Sequence, residues 1–225
     1  MTELVAAPWN LTGSGLILAY RFPKSFVLES GFVPPALKDS FVGGIGSVML
    51  VDYRTSDVGP YHELLFIPGQ FQIKGKRHYV ITKIYVSTMA SIVNGRANWA
   101  IPKELADFEI DDEAKSFIVS QNGQPFFSGV VQSRKWSLPF NTAWLPVKAT
   151  LGQIQDEKLY VTAPGGKGKV QFASASNIRV DSGLFPDIAQ FRPLAALRVV
   201  NFQITFPTAD VMPFMTGVRV ANEHS

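Results

Sequence analysis

The sequence predicts a mostly β (α+β) fold, namely a single-domain antiparallel β-barrel or sandwich with a few short helices. Phenylalanine is unusually frequent, at 17 of 225 residues, and aromatic side chains favour strands. Short apolar runs follow one another with turn residues between them, as in barrels and sandwiches. Apolar residues make up 46% of the chain and charged residues 17%, which provides a core without a disorder signature. We therefore expect residues 1–225 to form one domain.

Strand signals dominate the chain in order. Residues 62–67 read as a strand that ends at the turn pair Pro68-Gly69, and residues 79–86 read as the next. Asn122-Gly123 lies between two apolar runs and predicts a hairpin. The glycine-rich residues 164–168 predict a second hairpin. Further strands are expected at 108–110, 116–120, 159–162, 170–173 and 197–206, the last being the final long strand.

Helical signals are few. Ser87 is placed to cap a helix over 88–93, and Asn94-Gly95 is placed to end it. Residues 101–105 and 185–191 are candidates for short turns. The chain thus has room for only minor helical elements beside the sheet.

Composition and charge exclude several function classes. The net charge of +3 is small and the basic residues are scattered, so no nucleic acid is expected as a partner. The absence of cysteine and the presence of only three histidines argue against a metal site. We find no signal peptide and no apolar run long enough to span a membrane, so a soluble cytoplasmic protein is expected, with no membrane partner. The glycine-rich segments 43–46 and 165–170 do not fit phosphate-binding loops and are interpreted as turns.

The segment from Asn94 to Ala106 carries the chemistry. It places Lys103 directly after Pro102 and behind an apolar and aromatic run. Proline stiffens the backbone that leads into the lysine, and burial favours the neutral amine. Lowering the pKa of a lysine from ~10.4 to near 7 needs roughly 4–5 kcal/mol of environmental bias, which burial can supply. The sequence therefore predicts a nucleophilic lysine with a lowered pKa.

Three motifs resemble the acetoacetate decarboxylase family. Gly95-Arg96 followed by residues 99–106 resembles its G-R-E…G-(Y/F)-P-K-K-L-A signature. Asp52-Tyr53 with residues 58–63 resembles its D-Y…V-G-P-Y-x-E strand, and residues 20–22 resemble its early arginine segment. The combination of P-K-x-L-A with P-Y-x-E is fairly specific, and the motifs cover roughly residues 15–110.

The resemblance implies roles for individual residues. Lys103 would form the Schiff base, Glu63 would be an acid/base carboxylate, and Arg21 would bind the substrate carboxylate. Alternation along the strand independently puts Glu63 on one face with Leu65 and Ile67, where it needs a cationic partner or holds a proton. Arg96 would either bind the substrate carboxylate or brace the loop.

Further residues are weighed at the same site. Trp99 would form part of the wall, and His62, opposite Glu63, is interpreted as structural. Asp52 and Tyr53 are further candidates for lining the pocket.

The chain departs from the family pattern at two places. Glu104 replaces the second of two adjacent lysines, and residues 46–50 hold no counterpart of a second pocket glutamate. Either loss weakens the expectation of acetoacetate decarboxylation more than that of the fold. A neighbouring carboxylate would raise the pKa of Lys103 if Glu104 faced the pocket.

Three functions remain open from the sequence. The first is a Schiff-base-forming lyase of the carboxy-lyase type, which decarboxylates acetoacetate or a related β-keto acid without a cofactor. The same iminium supports aldol or dehydration chemistry, as in some relatives of the family. The second is a β-barrel that binds an apolar ligand without chemistry, and the third is an oligomer with a vestigial pocket. The resemblance also implies a homo-oligomer.

Overall fold

The computed structural model describes residues 3–111, 115–144 and 149–214. The strands within these ranges are β1 (Trp9–Tyr20), β2 (Phe41–Gly43), β3 (Gly46–Thr55), β4 (Tyr61–Ile67), β5 (Gln70–Ile73), β6 (Lys76–Tyr79), β7 (Lys83–Val86), β8 (Glu104–Leu105), β9 (Asp107–Asp111), β10 (Ser116–Gln121), β11 (Gln124–Ser133), β12 (Leu138–Asn141), β13 (Leu151–Gln155), β14 (Lys158–Thr162), β15 (Gly165–Val180), β16 (Ala195–Phe206) and β17 (Asp210–Pro213). The helices are α1 (Lys24–Ser30) and α2 (Met89–Trp99), with 3-10 turns at Pro35–Ser40, Thr142–Trp144 and Ile188–Gln190.

Two sheets organise these strands. The larger one has the order β8-β7-β4-β3-β1-β16-β15-β11-β10-β9, with β12 also paired to β15, and it curves into a nearly closed barrel. The smaller one has the order β17-β14-β13-β6-β5-β2. Pairing is antiparallel except between β7 and β8 and between β6 and β13. The prediction of a mostly β, antiparallel barrel with few helices is therefore confirmed.

Alternate residues of the central strands serve two separate cores. On β4, Leu64 and Phe66 are fully buried in one cluster, whereas Leu65 and Ile67 belong to a second cluster inside the barrel. Strand β1, on the other side of β3, also contributes to both, with Leu18 in the first cluster and Leu11 in the second. Because side chains alternate across a strand, each central strand stabilises both cores at once.

One predicted hairpin is confirmed and the other is wrong. Asn122 and Gly123 join β10 to β11 with φ angles of 52° and 75°, the positive values that a two-residue hairpin turn needs. The run at 164–168 does not turn, because Gly165 begins β15 and pairs with β16. A Cβ on Gly166 would collide with the carbonyl oxygen of Gln203, so this glycine permits close strand approach instead.

One strand boundary also differs from expectation. The single strand expected over 79–86 is divided, because Tyr79 ends a strand of the smaller sheet while Lys83 begins one of the larger sheet. β16 is the last long strand of the described residues, as expected, and the four-residue β17 that follows it pairs with β14.

Helix α2 is longer than the sequence indicated. Its cap is Thr88, whose side chain accepts a hydrogen bond from the Ser91 backbone N–H, while the Ser87 hydroxyl accepts one from the backbone of His62 at 2.9 Å. The helix continues through the Asn-Gly pair to Trp99. Helix α1 was not predicted. No helix in the described ranges is both long enough and apolar enough to cross a bilayer.

The N-terminal segment, residues 3–7, is bound to α2 by two asparagines. The Asn94 amide accepts from Val5 N–H at 2.6 Å and donates to the Glu3 carbonyl at 3.0 Å. One turn along the helix, the Asn98 amide accepts from Ala7 N–H and donates to the Val5 carbonyl. Asn94 is fully buried, so its hydrogen bonds are shielded from water and its place in the helix is fixed.

Candidate active site

Strand β4 aims its odd-numbered residues into the barrel. Tyr61, Glu63, Leu65 and Ile67 all line one cavity, as the alternation argument for Glu63 predicted. His62 lies on the opposite face, where its Nε2 is 3.4 Å from an Asp52 carboxylate oxygen. The periodicity of this one strand therefore fixes which side chains can reach a ligand.

Lys103 reaches the same cavity because the chain turns back on itself after α2. Ala100 ends the helix in the left-handed region with a φ of 53°, and the following residues fold over the helix. The Arg96 guanidinium donates a 2.6 Å hydrogen bond to the Lys103 carbonyl, which anchors this reversal. The lysine side chain then lies across Gly95, where a Cβ would be only 2.8 Å from Cδ and Cε.

Lys103 and Glu63 form a buried ion pair. Nζ lies 2.9 Å from Oε2, and the side chains are only 4% and 6% exposed. Nζ also donates to the Ser91 hydroxyl at 2.9 Å and stands 4.9 Å from the centre of the Tyr61 ring. The second carboxylate oxygen accepts from the Tyr53 hydroxyl at 3.2 Å. The pair is thus held by helix α2 on one side and by two sheet tyrosines on the other.

The ion pair reverses the pKa direction that was expected for Lys103. Burial is the largest single effect and lowers the pKa of this amine, but the Glu63 carboxylate and the Tyr61 hydroxyl together raise it by more. The net pKa is raised, so the predicted lowering is wrong. The sequence analysis counted the desolvation of Lys103 but did not set the charge of Glu63 against it.

The two tyrosines stay protonated at neutral pH. Burial raises the pKa of Tyr53 well above its usual value, and the Glu63 carboxylate adds to this. Burial also raises the pKa of Tyr61 to about 12, against the opposing effect of Lys103. Both hydroxyls are therefore available as hydrogen-bond donors beside the ion pair.

The cavity around the pair has a volume of about 480 Å³ and an almost entirely apolar wall. Its charged lining residues, within the described ranges, are Glu63, Lys103 and Lys167. The half-exposed Ile45 marks the open end of the cavity, and the exposed Lys167 marks a second place where its lining meets solvent. The Lys103–Glu63 pair itself is almost fully shielded from solvent.

The structure brings only some of the predicted site residues together. Lys103, Glu63 and Trp99 line the cavity, where Trp99 is a buried wall whose indole N–H donates to the Pro207 carbonyl at 2.7 Å. Arg21 does not reach it, because β1 ends at Tyr20 and the arginine that follows is exposed. Arg96 does not reach it either, because its guanidinium braces the Lys103 backbone. Neither arginine lines the cavity, so the substrate-binding role expected for both stays a prediction.

The two other ambiguous positions are resolved by the sheet. Tyr53 lines the cavity, while Asp52 lies on the opposite face beside His62. Glu104 also faces away from the cavity and pairs with Lys83, with 2.6 Å between Nζ and Oε1. Glu104 therefore does not act on Lys103 directly.

Sequence reasoning missed Ser91, Tyr61 and the role of Gly95. Tyr61 precedes Glu63 by two residues on a strand, so it must share the same face. Ser91 and Gly95 are four residues apart on a helix and therefore lie on one side of it. These spacings were visible in the sequence, but the length of the helix was not. In the described ranges no three potential metal ligands lie together.

The fold and the site together define a class of protein, a β-barrel that encloses a buried lysine–glutamate pair in the wall of an apolar cavity. A model of the acetoacetate decarboxylase (ADC) family matches residues 2–149. The chain therefore belongs to the acetoacetate decarboxylase family. No curated protein sequence matches it.

Solved structures share the fold at low sequence identity. One is acetoacetate decarboxylase from Legionella pneumophila, with a TM-score of 0.68 and 16% identity over 92% of this chain and 88% of that one. A second acetoacetate decarboxylase has a TM-score of 0.72 and 11% identity over 92% and 90%. The enduracididine biosynthesis enzyme MppR has a TM-score of 0.66 and 14% identity over 93% and 89%, and it has also been solved with the condensation product of pyruvate and imidazole 4-carboxaldehyde.

Proposed function

We propose that this protein is a Schiff-base-forming lyase that decarboxylates a β-keto acid through Lys103. The observation that carries the proposal is the buried contact of 2.9 Å between Lys103 Nζ and Glu63 Oε2 inside an apolar cavity of about 480 Å³. A buried charged pair is costly to maintain for stability alone, and perturbed titratable groups in a cavity are typical of reactive sites. Membership of the acetoacetate decarboxylase family supports the same chemistry.

The first task of the site is to deprotonate the lysine. Lys103 is held as an ammonium while Glu63 is ionised, and an ammonium is not a nucleophile. Entry of an apolar substrate excludes water, and transfer of one proton from Nζ to Oε2 then yields two neutral groups that need no solvation. The short Nζ–Oε2 distance makes this transfer direct. Glu63 therefore acts as the base, and it retains the proton that the reaction later needs.

Decarboxylation then proceeds from the neutral Lys103 amine. The neutral Lys103 amine attacks the ketone carbon, and the proton held by Glu63 leaves with the hydroxyl group as water, which gives an iminium and a Glu63 carboxylate. The bond between the α-carbon and the carboxylate carbon breaks, its electron pair forms the enamine, and carbon dioxide leaves. A water molecule gives a proton to the α-carbon with Glu63 as the relay, and the remaining hydroxide hydrolyses the iminium to release a methyl ketone and the free amine, which takes up a proton from solvent.

Polar neighbours hold the reacting groups of Lys103 and Glu63 in position during these steps. The Ser91 hydroxyl, 2.9 Å from Nζ, holds the amine when the proton has left. The Tyr53 hydroxyl, 3.2 Å from Oε1, holds the carboxylic acid in position. No arginine lines the described part of the cavity, so the substrate carboxylate lies in apolar surroundings. Such surroundings favour a step in which its negative charge is dispersed.

Aldol or dehydration chemistry through the same iminium is a second candidate. It is favoured by the single carboxylate, Glu63, among the described lining residues, because the family's second pocket glutamate has no counterpart here. MppR, which shares the fold, has been solved with a condensation product of pyruvate and an aldehyde. In this case the enamine attacks an aldehyde instead of taking a proton.

The test is reductive trapping followed by mass spectrometry. Incubation with acetoacetate or pyruvate and borohydride should add the reduced carbonyl fragment to the peptide that contains Lys103. Lys103→Met should abolish both the adduct and the release of carbon dioxide. Lys83→Met is the matched control, because Lys83 also pairs with a carboxylate but lies outside the cavity, and it should keep both. An unmodified Lys103 with every carbonyl compound tested would contradict the proposal, and an adduct without carbon dioxide would favour the aldol alternative.

A further inference from the structure

We infer that the preferred substrate carries a long, uncharged, apolar acyl chain, so that acetoacetate itself is a poor substrate. This inference rests on the proposed function, because it assigns the substrate class of the same lysine. The observation behind it is that the cavity continues well past the ion pair, along strands that supply only apolar or small side chains.

The strand register shows how the cavity is layered. Glu63 on β4 is opposite Val51 on β3, and this row holds the reactive carboxylate. Two further rows follow towards the open end and also line the cavity, namely Leu65 opposite Met49 and Ile67 opposite Ser47. From Glu63 to Ile67 the strand advances four residues, or about 13 Å at a rise of roughly 3.3 Å per residue.

The third strand of the wall continues the same rows. On β1, Ile17 pairs with Met49 and Ala19 pairs with Ser47, and both residues line the cavity. Along this length the described residues of these three strands therefore bear no group that could neutralise a charge. Besides Lys103, the cation among the described lining residues is Lys167, which is exposed.

The volume agrees with a long occupant. One water molecule takes up roughly 30 Å³ in the liquid, so a cavity of about 480 Å³ has room for about 16 groups of that size. Acetoacetate has about seven non-hydrogen atoms, so it would leave more than half of the apolar space filled with water or empty. Each additional buried methylene is expected to improve kcat/KM by about three- to fourfold until the cavity is full.

The test is a chain-length series of 3-oxo acids from acetoacetate to 3-oxododecanoate. We expect kcat/KM for the ten-carbon acid to exceed that for acetoacetate by at least about 100-fold. Ala19→Phe should fill the far row, so the ratio of the two kcat/KM values should fall by about tenfold or more. Ala36→Phe makes the same change at an exposed position outside the cavity and should leave the ratio unaltered.

Three outcomes separate this inference from the proposed function. If Lys103 is trapped and acetoacetate is turned over as efficiently as the long acids, only the inference is overturned. A ratio that is insensitive to Ala19→Phe overturns it as well. Calorimetry with unreactive 3-hydroxy acids of the same lengths measures binding without turnover. If affinity rises with chain length but Lys103 is never trapped, the apolar site is supported and the Schiff-base function is overturned.

Discussion

The Glu63→Gln substitution tests whether the carboxylate neutralises a charged, buried amine. The new amide would keep the shape of the side chain and a hydrogen-bonding oxygen, but it would leave Lys103, whose side chain is 4% exposed, without a counter-charge. Removing one partner of a buried pair costs roughly 3–5 kcal/mol of unfolding free energy. We expect a loss of that size at pH 7.

The pH dependence gives the sharper result. In the variant, burial is opposed only by the smaller effect of Tyr61, so the pKa of Lys103 in the folded state falls below its value in the unfolded chain. Between these two pKa values the unfolded state binds the additional proton, so stability rises with pH, by at most about 1.4 kcal/mol per pH unit. In the native protein the pKa of Lys103 is raised instead, so its contribution is constant up to about pH 10 and is lost above that. As the pH rises, the Glu63→Gln variant should therefore regain the lost unfolding free energy over two to four pH units, and the native protein should show no such rise.

Urea denaturation followed by circular dichroism at intervals from pH 7 to 10 measures this slope. Glu104→Gln is the matched control, since it makes the same change in the Lys83 pair outside the cavity, where the Glu104 side chain is 39% exposed. That variant should lose about 1 kcal/mol or less and show no comparable slope. A Glu63→Gln variant that is as stable as the native protein at pH 7, or whose stability does not change with pH, would refute the reasoning.

Three further predictions follow from the same contacts. Gly95→Ala places a methyl group 2.8 Å from the aliphatic end of Lys103, so borohydride trapping should slow by roughly 10- to 100-fold. Alanine favours the helix, so the unfolding free energy should stay within about 1 kcal/mol of the native value. Unchanged trapping would show that the lysine does not need the space beside Gly95. Arg96→Ala removes the 2.6 Å hydrogen bond to the Lys103 carbonyl, so thermal denaturation should show that the unfolding free energy falls by about 1 kcal/mol. If KM rises instead and the stability is unchanged, Arg96 binds the substrate. Burial raises the pKa of Tyr61 to about 12, so this hydroxyl binds its proton more tightly in the folded state. The unfolding free energy should therefore fall by about 2–3 kcal/mol between pH 10 and 12. In urea titrations Tyr61→Phe should lack this part of the fall, and an identical fall in both proteins would contradict the prediction.

Local sequence signals predicted much of the fold and the centre of the site. Asn122-Gly123 specifies a turn because both residues tolerate positive φ. Alternation placed Glu63 on the face that became the cavity wall, and the stiff Pro102-Lys103 step marked the lysine. Each of these inferences depends on a few adjacent residues, which is the range over which sequence patterns carry reliable information.

Long-range pairings could not be predicted in the same way. The pKa of Lys103 depends on Glu63, 40 positions earlier in the sequence, and nothing local indicates that their tips meet. Gly166 resembles a turn residue until its neighbouring strand is known. Arg21 lies beside a strand residue in a family motif, yet its side chain points to solvent because the strand has ended. Tertiary context decides all three positions.

The bonds that tie residues 3–7 to Asn94 and Asn98 have a practical consequence for anyone who handles this protein. Proteolytic trimming of those few residues would remove the hydrogen bonds that Asn94 and Asn98 make outside the helix and leave each amide only its bond to a helix carbonyl. The same helix bears Ser91 and Gly95. We expect the position of the Lys103 amine to change as a result, although no residue from Glu3 to Ala7 lines the cavity. A preparation that loses activity on storage should therefore be checked for an intact amino terminus before its chemistry is questioned.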